Sequence, residues 1–204
     1  MSFPTAIVPI VEGQSEVKSV GPLLRRIMHE RLRFFDIEIA RPFRVSRNKV
    51  TQSDELERAI RTAILDRTNA SAILILLDAH DDPPCVLGPN LEHRASLVTQ
   101  LPTSVVLATR EFEAWFLGAK ESLRGERGIK RDAVNLSYPE SISGAKEHLL
   151  QNMERGCHYV EVDDQPALAA RMDLEMARRN CPSFDKLVRE VERLAREIHM
   201  ANAE

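Results

Sequence analysis

Carboxylates in this chain recur directly after apolar runs, in three places. Glu12 and Glu16 follow Ala6 to Val11, Asp78, Asp81 and Asp82 follow Ala72 to Leu77, and Glu111 and Glu113 follow Ser104 to Ala108. If the runs are parallel strands, their carboxyl ends share one edge of the sheet, where α/β proteins bind ligands. Carboxylates gathered there repel one another unless protons or cations intervene, and hard oxygen ligands select magnesium, manganese or calcium. A divalent cation is therefore the expected partner. The bland alternative is that acids end strands and cap helices in many proteins; Glu16 is favoured in a first helical turn by the helix dipole alone. Glu111 and Glu113 project about 200° apart on a helix, so only one of them can face the site.

The elements that must position these acids follow from periodicity. Thr5–Val11 reads as a buried strand, with Pro9 discordant because proline cannot donate to a ladder. Ser15 to Arg33 has helical spacing, and Gly21-Pro22 is expected to break or restart it, with Ser19 or Gly21 capping a main helix that begins at Pro22. Ile37 to Val45 reads as a strand. Thr51 to Arg67 reads as a helix capped by Thr51 or Ser53. Ala72 to Leu77 has no polar member, as expected when helices cover both sheet faces. A loop through Pro83, Pro84 and Pro89 then leads to a helix over Leu91 to Leu101 and a strand over Ser104 to Ala108. Everything beyond Glu111 reads as helical: Phe112, Trp115 and Phe116 on a core face, then Ala145 to Met153, Pro166 to Arg179, and a last helix capped by Ser183 and carrying Leu187, Val188, Val191, Leu194 and Ile198. Gly118 to Ser143 reads as the mobile connection. The expected architecture is α/β: a mostly parallel sheet of about four strands with helices on both faces (residues 1–117) and a helical C-terminal extension packed on it (residues 118–204).

Bulk composition narrows the function classes. A net charge of −3 excludes binding nucleic acid by bulk electrostatics, though the segments Arg41, Arg44, Arg47, Lys49 and Arg124, Arg127, Lys130, Arg131 can form local patches or solvated faces. No apolar run approaches the roughly 18 to 20 residues of a membrane span, and Met1 to Glu12 lacks the basic start of a signal peptide, so a cytoplasmic location without membrane contact is expected. Cys85, Cys157 and Cys181 are widely spaced and read as reduced thiols. His29, His93, His148, His158 and His199 have no metal-ligand spacing. No GxGxxG follows the first strand, which disfavours a dinucleotide enzyme.

Val11-Glu12-Gly13-Gln14-Ser15-Glu16 after a first strand, followed by Leu77-Asp78-Ala79-His80-Asp81-Asp82 after an apolar one, resembles the glutamate and DxD motifs of Toprim domains. Toprim domains occur in topoisomerases, bacterial primases, recombination proteins and the overcoming-lysogenization-defect nucleases. The extra acid Glu16 is more like the last group. This resemblance covers about the first half of the chain. Arg110 to Leu117, with Gly144-Ala145-Lys146-Glu147 and Ser183-Phe184-Asp185-Lys186-Leu187, is similar over nearly the whole chain to a standalone bacterial family of Toprim-like proteins, domain of unknown function 4276.

The resemblance implies metal-dependent phosphodiester chemistry with Mg2+ or Mn2+. Glu12, Glu16, Asp78, His80, Asp82 and Glu113 are then the candidate metal ligands, Glu12 doubles as a proton carrier, and Lys146 stabilises transition-state charge. His80 stands where the second DxD acid is expected. Imidazole suits manganese better than magnesium, so either Asp82 substitutes for the missing acid or the site is weakened. The expected function is a nuclease or related phosphotransfer enzyme acting on DNA or RNA, in phage defence or genome maintenance. The alternative is a non-catalytic metal- or nucleotide-binding module that engages a partner protein. The last helix can pack within the chain or form a homodimer.

Overall fold

The structure, a computed structural model, describes residues 5–50 and 54–203. Five parallel strands form one sheet: β1 (Thr5–Val11), β2 (Ile37–Ile39), β3 (Phe43–Arg44), β4 (Ala70–Asp78) and β5 (Thr103–Ala108). Their order is β2-β1-β4-β5, with β3 also pairing β1. Register pairs Val11 with Leu76 and Asp78 with Ala108, so the carboxyl ends of β1, β4 and β5 share one edge.

The expected strand over Ile37 to Val45 is two short strands, because Arg41-Pro42 interrupts it. The same break explains how Pro9 sits in a central strand. The carbonyls of Ile7 and Val11 accept from the amides of Ala40 and Val45, at 3.0 and 2.8 Å. Pro9 shares their parity and faces the gap between β2 and β3, where no ladder acceptor is waiting for the proton it lacks.

Helices cover both faces. Strand residues Ile7, Val11, Leu74, Leu76 and Val106 pack with α1 (Gln14–Arg26) and the C-terminal helices, whereas Val8, Ile10, Ile73, Ile75 and Val105 pack with the helices over Glu55–Leu65 and Pro84–Ser96. This alternation is the period of two expected of a sheet buried on both sides. Gly21-Pro22 does not break α1, which starts at Gln14 with Gly13 as its N-cap and passes through Pro22 into a π-helical turn over Ile27–Leu32. Pro22 deprives only the carbonyl of exposed Lys18 of its helical donor, and water can replace it there. A short turn α2 (Arg47–Val50) precedes α3 (Glu55–Leu65), whose N-cap is Asp54; Thr51 and Ser53, the expected caps, lie outside the described residues. Helix α4 (Pro84–Ser96) starts earlier than expected because Pro84 fits a first helical turn, and Pro89 is accommodated on its exposed side.

Beyond α5 (Glu113–Gly118) the chain is not uniformly helical. The connection expected to be mobile carries three short 3-10 turns, buries Leu123, Ile129 and Ala133, and pairs Ile129 with Met153. It leads to α6 (Ala145–Gln151) and α7 (Glu161–Ala169), then α8 (Leu174–Asn180) and α9 (Pro182–Ala201). The expected single helix over Pro166 to Arg179 is thus two helices, and Asp173 caps the second through the amide of Met176 at 2.8 Å. Cys181, not Ser183, is the N-cap of α9, with Pro182 at its first position. The Ser183 hydroxyl lies inside the helix, accepts from Trp115 Nε1 at 2.8 Å and donates to Glu140. Trp115, Phe112, Phe116 and Phe184 are fully or almost fully buried, in the same apolar cluster as β1, β4 and β5. The three cysteines are free. Among the described residues no helix is long and apolar enough to cross a membrane.

The opposite face is tied by Arg94 of α4, which donates to both carboxylate oxygens of Glu57 on α3, at 2.7 and 2.8 Å, and to the carbonyl of Val50 at 2.8 Å. This two-pronged pairing holds the Glu57 carboxyl below its ordinary value of 4.5. A lowered acid stabilises the fold above its unfolded value and loses that contribution as pH falls through the folded value. Glu57→Gln should therefore cost about 1–3 kcal/mol at neutral pH, and its gap to wild type should narrow below 4.5. Denaturant titrations at the two pH values check this; a gap independent of pH would contradict it.

Candidate metal centre

The centre is assembled from the three strand ends. Glu12 follows β1, Asp78 ends β4 and His80 lies two residues beyond it; each offers one ligand atom, and these atoms lie within 4.8 Å of one another. His80 Nε2 is 3.2 Å from Glu12 Oε1. Glu12 Oε2 is buried and has no hydrogen-bond partner among the described residues. Asp78 Oδ1 accepts from the Phe112 amide at 2.9 Å, which docks the start of α5 on the end of β4. The backbone around it is held in an uncommon geometry: His80 and Arg110 both adopt positive φ, 52° and 65°, and the His80 amide donates to the Arg110 carbonyl at 2.9 Å.

Further acids surround this trio. Glu16 and Glu113 are buried, at 7% and 3% exposure. Glu16 folds back over Gly13 so closely that a Cβ at residue 13 would lie 1.9 Å from its Oε2. Glycine is therefore needed there to leave Glu16 its place. Burial raises the Asp78 carboxyl well above its ordinary value, with the charges of Glu12, Glu113 and Glu16 adding to the shift. Glu12 is raised chiefly by burial, against the opposing pull of His80 and Arg47. Burial likewise pushes Glu113 up to about 7, although Lys146 and the Tyr159 hydroxyl, 3.0 Å from its Oε1, favour its charge. Acids this unwilling to ionise form a pocket that a cation would satisfy.

The remaining expected residues are placed as follows. Asp82 is not part of the trio and pairs with Arg47, and Asp81 lies 3.6 Å from Arg110. Glu111 accepts from the backbone amide of Lys146 at 3.0 Å, so of the two acids after β5 it is Glu113 whose charge reaches Asp78. Lys146 pairs with Glu161, whose other oxygen accepts from Ser15 Oγ at 2.5 Å. Burial pulls the Lys146 ammonium down, but the Glu161 bond and the charges of Glu113 and Glu111 more than offset it. Ser15, Tyr159 and Glu161 are the site residues that local sequence did not reveal. The second basic segment is largely structural: Arg124 donates to the Ala133 carbonyl, Arg127 pairs with Asp164 and Lys130 donates to the Gln151 carbonyl.

Fold and centre together define an α/β protein with a cluster of reluctant acids at the carboxyl ends of parallel strands. The model of a domain of unknown function (DUF4276) matches residues 11–192, and the chain belongs to that family. Among curated proteins and among solved structures the comparisons find no match.

The acids make a stability prediction. A carboxyl raised in the folded state destabilises it progressively as pH climbs from the unfolded value to the folded one. For Glu113 that window runs from 4.5 to about 7. In a chelator, Glu113→Gln should therefore be more stable than wild type above the window, by roughly 1–3 kcal/mol, and no more stable below it. Thermal melts across the window test this; a variant less stable at every pH would refute it.

Proposed function

We propose that this protein is a divalent-metal-dependent nuclease or related phosphotransfer enzyme with a Toprim-like core. The observation that carries the reading is Glu12 Oε2, a buried carboxylate oxygen without a hydrogen-bond partner among the described residues, within reach of Asp78 and His80. The donor set fits a divalent ion: two carboxylates and an imidazole favour manganese over magnesium. Glu12, Asp78 and His80 would hold the ion, with Glu16 and Glu113 close enough to contribute charge or a second site. A bound ion would polarise a phosphoryl oxygen and lower the pKa of a coordinated water. Lys146, kept cationic beside Glu113, and Arg47, paired to Asp82, would offset the charge of a phosphodiester. The Phe112 amide fixes Asp78 in one orientation, and Glu161 fixes Lys146. The resemblance to Toprim motifs suggests a role in phage defence or genome maintenance.

The pairing of Asp82 with Arg47, which leaves the exposed His80 in place of a second acid, favours the other reading, a metal-binding module that recruits a partner without cutting. Cleavage assays separate the two. Of single- and double-stranded DNA and RNA, at least one should be cut with manganese, less well with magnesium, and Glu12→Ala and Asp78→Ala should each reduce the rate by at least about a hundredfold. His80→Asp should move the preference toward magnesium. If wild type cuts nothing, or both alanine variants match it, the enzyme reading fails; a manganese-dependent rise in Tm that requires Asp78 would then support the module.

A further inference from the structure

The broken edge of the sheet opens a slot. Two adjacent pockets, of about 310 and 380 Å³, share Phe43 and Arg44 as a common wall, and both are within the roughly 300–1,000 Å³ range of ligand sites. Arg41 lies in the first and Lys49 in the second; both are exposed, and neither side chain has an ion-pair or hydrogen-bond partner among the described residues. Arg44 Nε donates to the carbonyl of Glu12 at 3.1 Å, and Gln14, two residues after Glu12, lines the first pocket. The slot therefore adjoins the metal centre. Acids are present but sparse in it: Glu55 pairs with Arg58, and Asp66 sits in the first pocket, near the β4 start.

A surplus of cations along one slot, in a chain whose net charge is −3, selects a polyanion rather than an acidic small molecule held at one point. Phe43 narrows the choice. It is half-buried, packed against the core under α3, and borders both pockets between two arginines. An aromatic ring among arginines offers a stacking face to an unpaired base, whereas paired bases keep their faces within the helix.

We infer that this slot is a binding groove for single-stranded nucleic acid, with Arg41, Arg44 and Lys49 on the phosphates and Phe43 against a base, leading the strand toward Glu12 and Asp78. The inference rests on the metal-centre reading for where the strand is delivered, and it has its own readout. Pro9 and Pro42 contribute by removing backbone donors at the break, so the slot is lined by side chains rather than by a continuous strand.

The test is fluorescence anisotropy with labelled oligothymidylate and oligouridylate, and with a duplex of mixed sequence, in chelator and in the Asp78→Asn background so that cutting does not intervene. The single strands should bind more tightly than the duplex, with a salt dependence of about −0.7 in log–log slope per phosphate neutralised. Arg41→Glu with Lys49→Glu should weaken binding by about tenfold or more and reduce the slope by about 1.4, whereas Arg131→Glu, an exposed charge in the other basic segment, should do neither. Lys49→Ala alone should lower the slope by about half as much, which keeps the test intact if the double reversal fails to fold. Absence of binding, a preference for duplex, or an equal effect of Arg131→Glu overturns the groove. Metal-dependent cleavage with groove variants that bind and cut like wild type overturns the groove and leaves the enzyme reading standing. Strand binding that needs Arg41 and Lys49, without cleavage by wild type, upholds the groove while the enzyme reading falls.

Discussion

Like-charge crowding in a buried place is the constraint around which this molecule is organised. Glu12, Asp78 and Glu113 are brought together by three strand ends, and each is raised above its ordinary pKa chiefly because burial strips water from it. Such an arrangement opposes folding unless something compensates. Within the chain, compensation comes from the Phe112 amide on Asp78, His80 beside Glu12, and Tyr159 and Lys146 beside Glu113. These partners come from β4, the start of α5, and the segments around α6 and α7. The helical C-terminal half is thus part of the centre's electrostatics as well as a cover for the sheet.

That cover has its own rigid connection to the site. Trp115 on α5 is clamped by Ser183 on α9, and Ser183 in turn donates to Glu140 in the long connection. Glu161 on α7 reaches both Ser15 on α1 and Lys146 on α6. Side chains far apart in sequence therefore fix the helices that flank the acids, in keeping with the general requirement that a functional constellation be locked by its surroundings.

How much of this was legible in the sequence depends on the range of the signal. Apolar runs ending in acids are local; they mark β1, β4 and β5 and place Glu12 and Asp78 at their carboxyl ends. Ile37 to Val45 reads as one strand because its apolar pattern looks continuous, and only the pairing with β1 reveals what Pro42 interrupts. Pro22 suggests a break or restart and Pro89 a loop, yet both lie in helices at positions where water can replace the lost donor. Glu161 has no local signature, since nothing within a helical turn of it indicates Ser15, which is 146 residues away. Ser183 reads as a cap because Ser-Phe-Asp after Pro182 suits a helix start, while its partner is an indole on another helix. The turn of Asp82 toward Arg47 is likewise a tertiary choice that no spacing encodes.

The interrupted strand also bears on how copies of this protein meet one another. An open sheet edge is a template on which a neighbouring chain can continue the ladder. Here one edge is cut into pieces of three and two residues with Pro42 between them, and at the other Arg193 of α9 donates to the carbonyl of Thr103 at 2.9 Å while Glu190 accepts from Ser104. The first edge thus offers no continuous run for strand-by-strand accretion, and at the second α9 already occupies an outward carbonyl of β5. A chain with a densely aliphatic central strand thereby gains protection from amyloid-like growth at the points where that growth would begin.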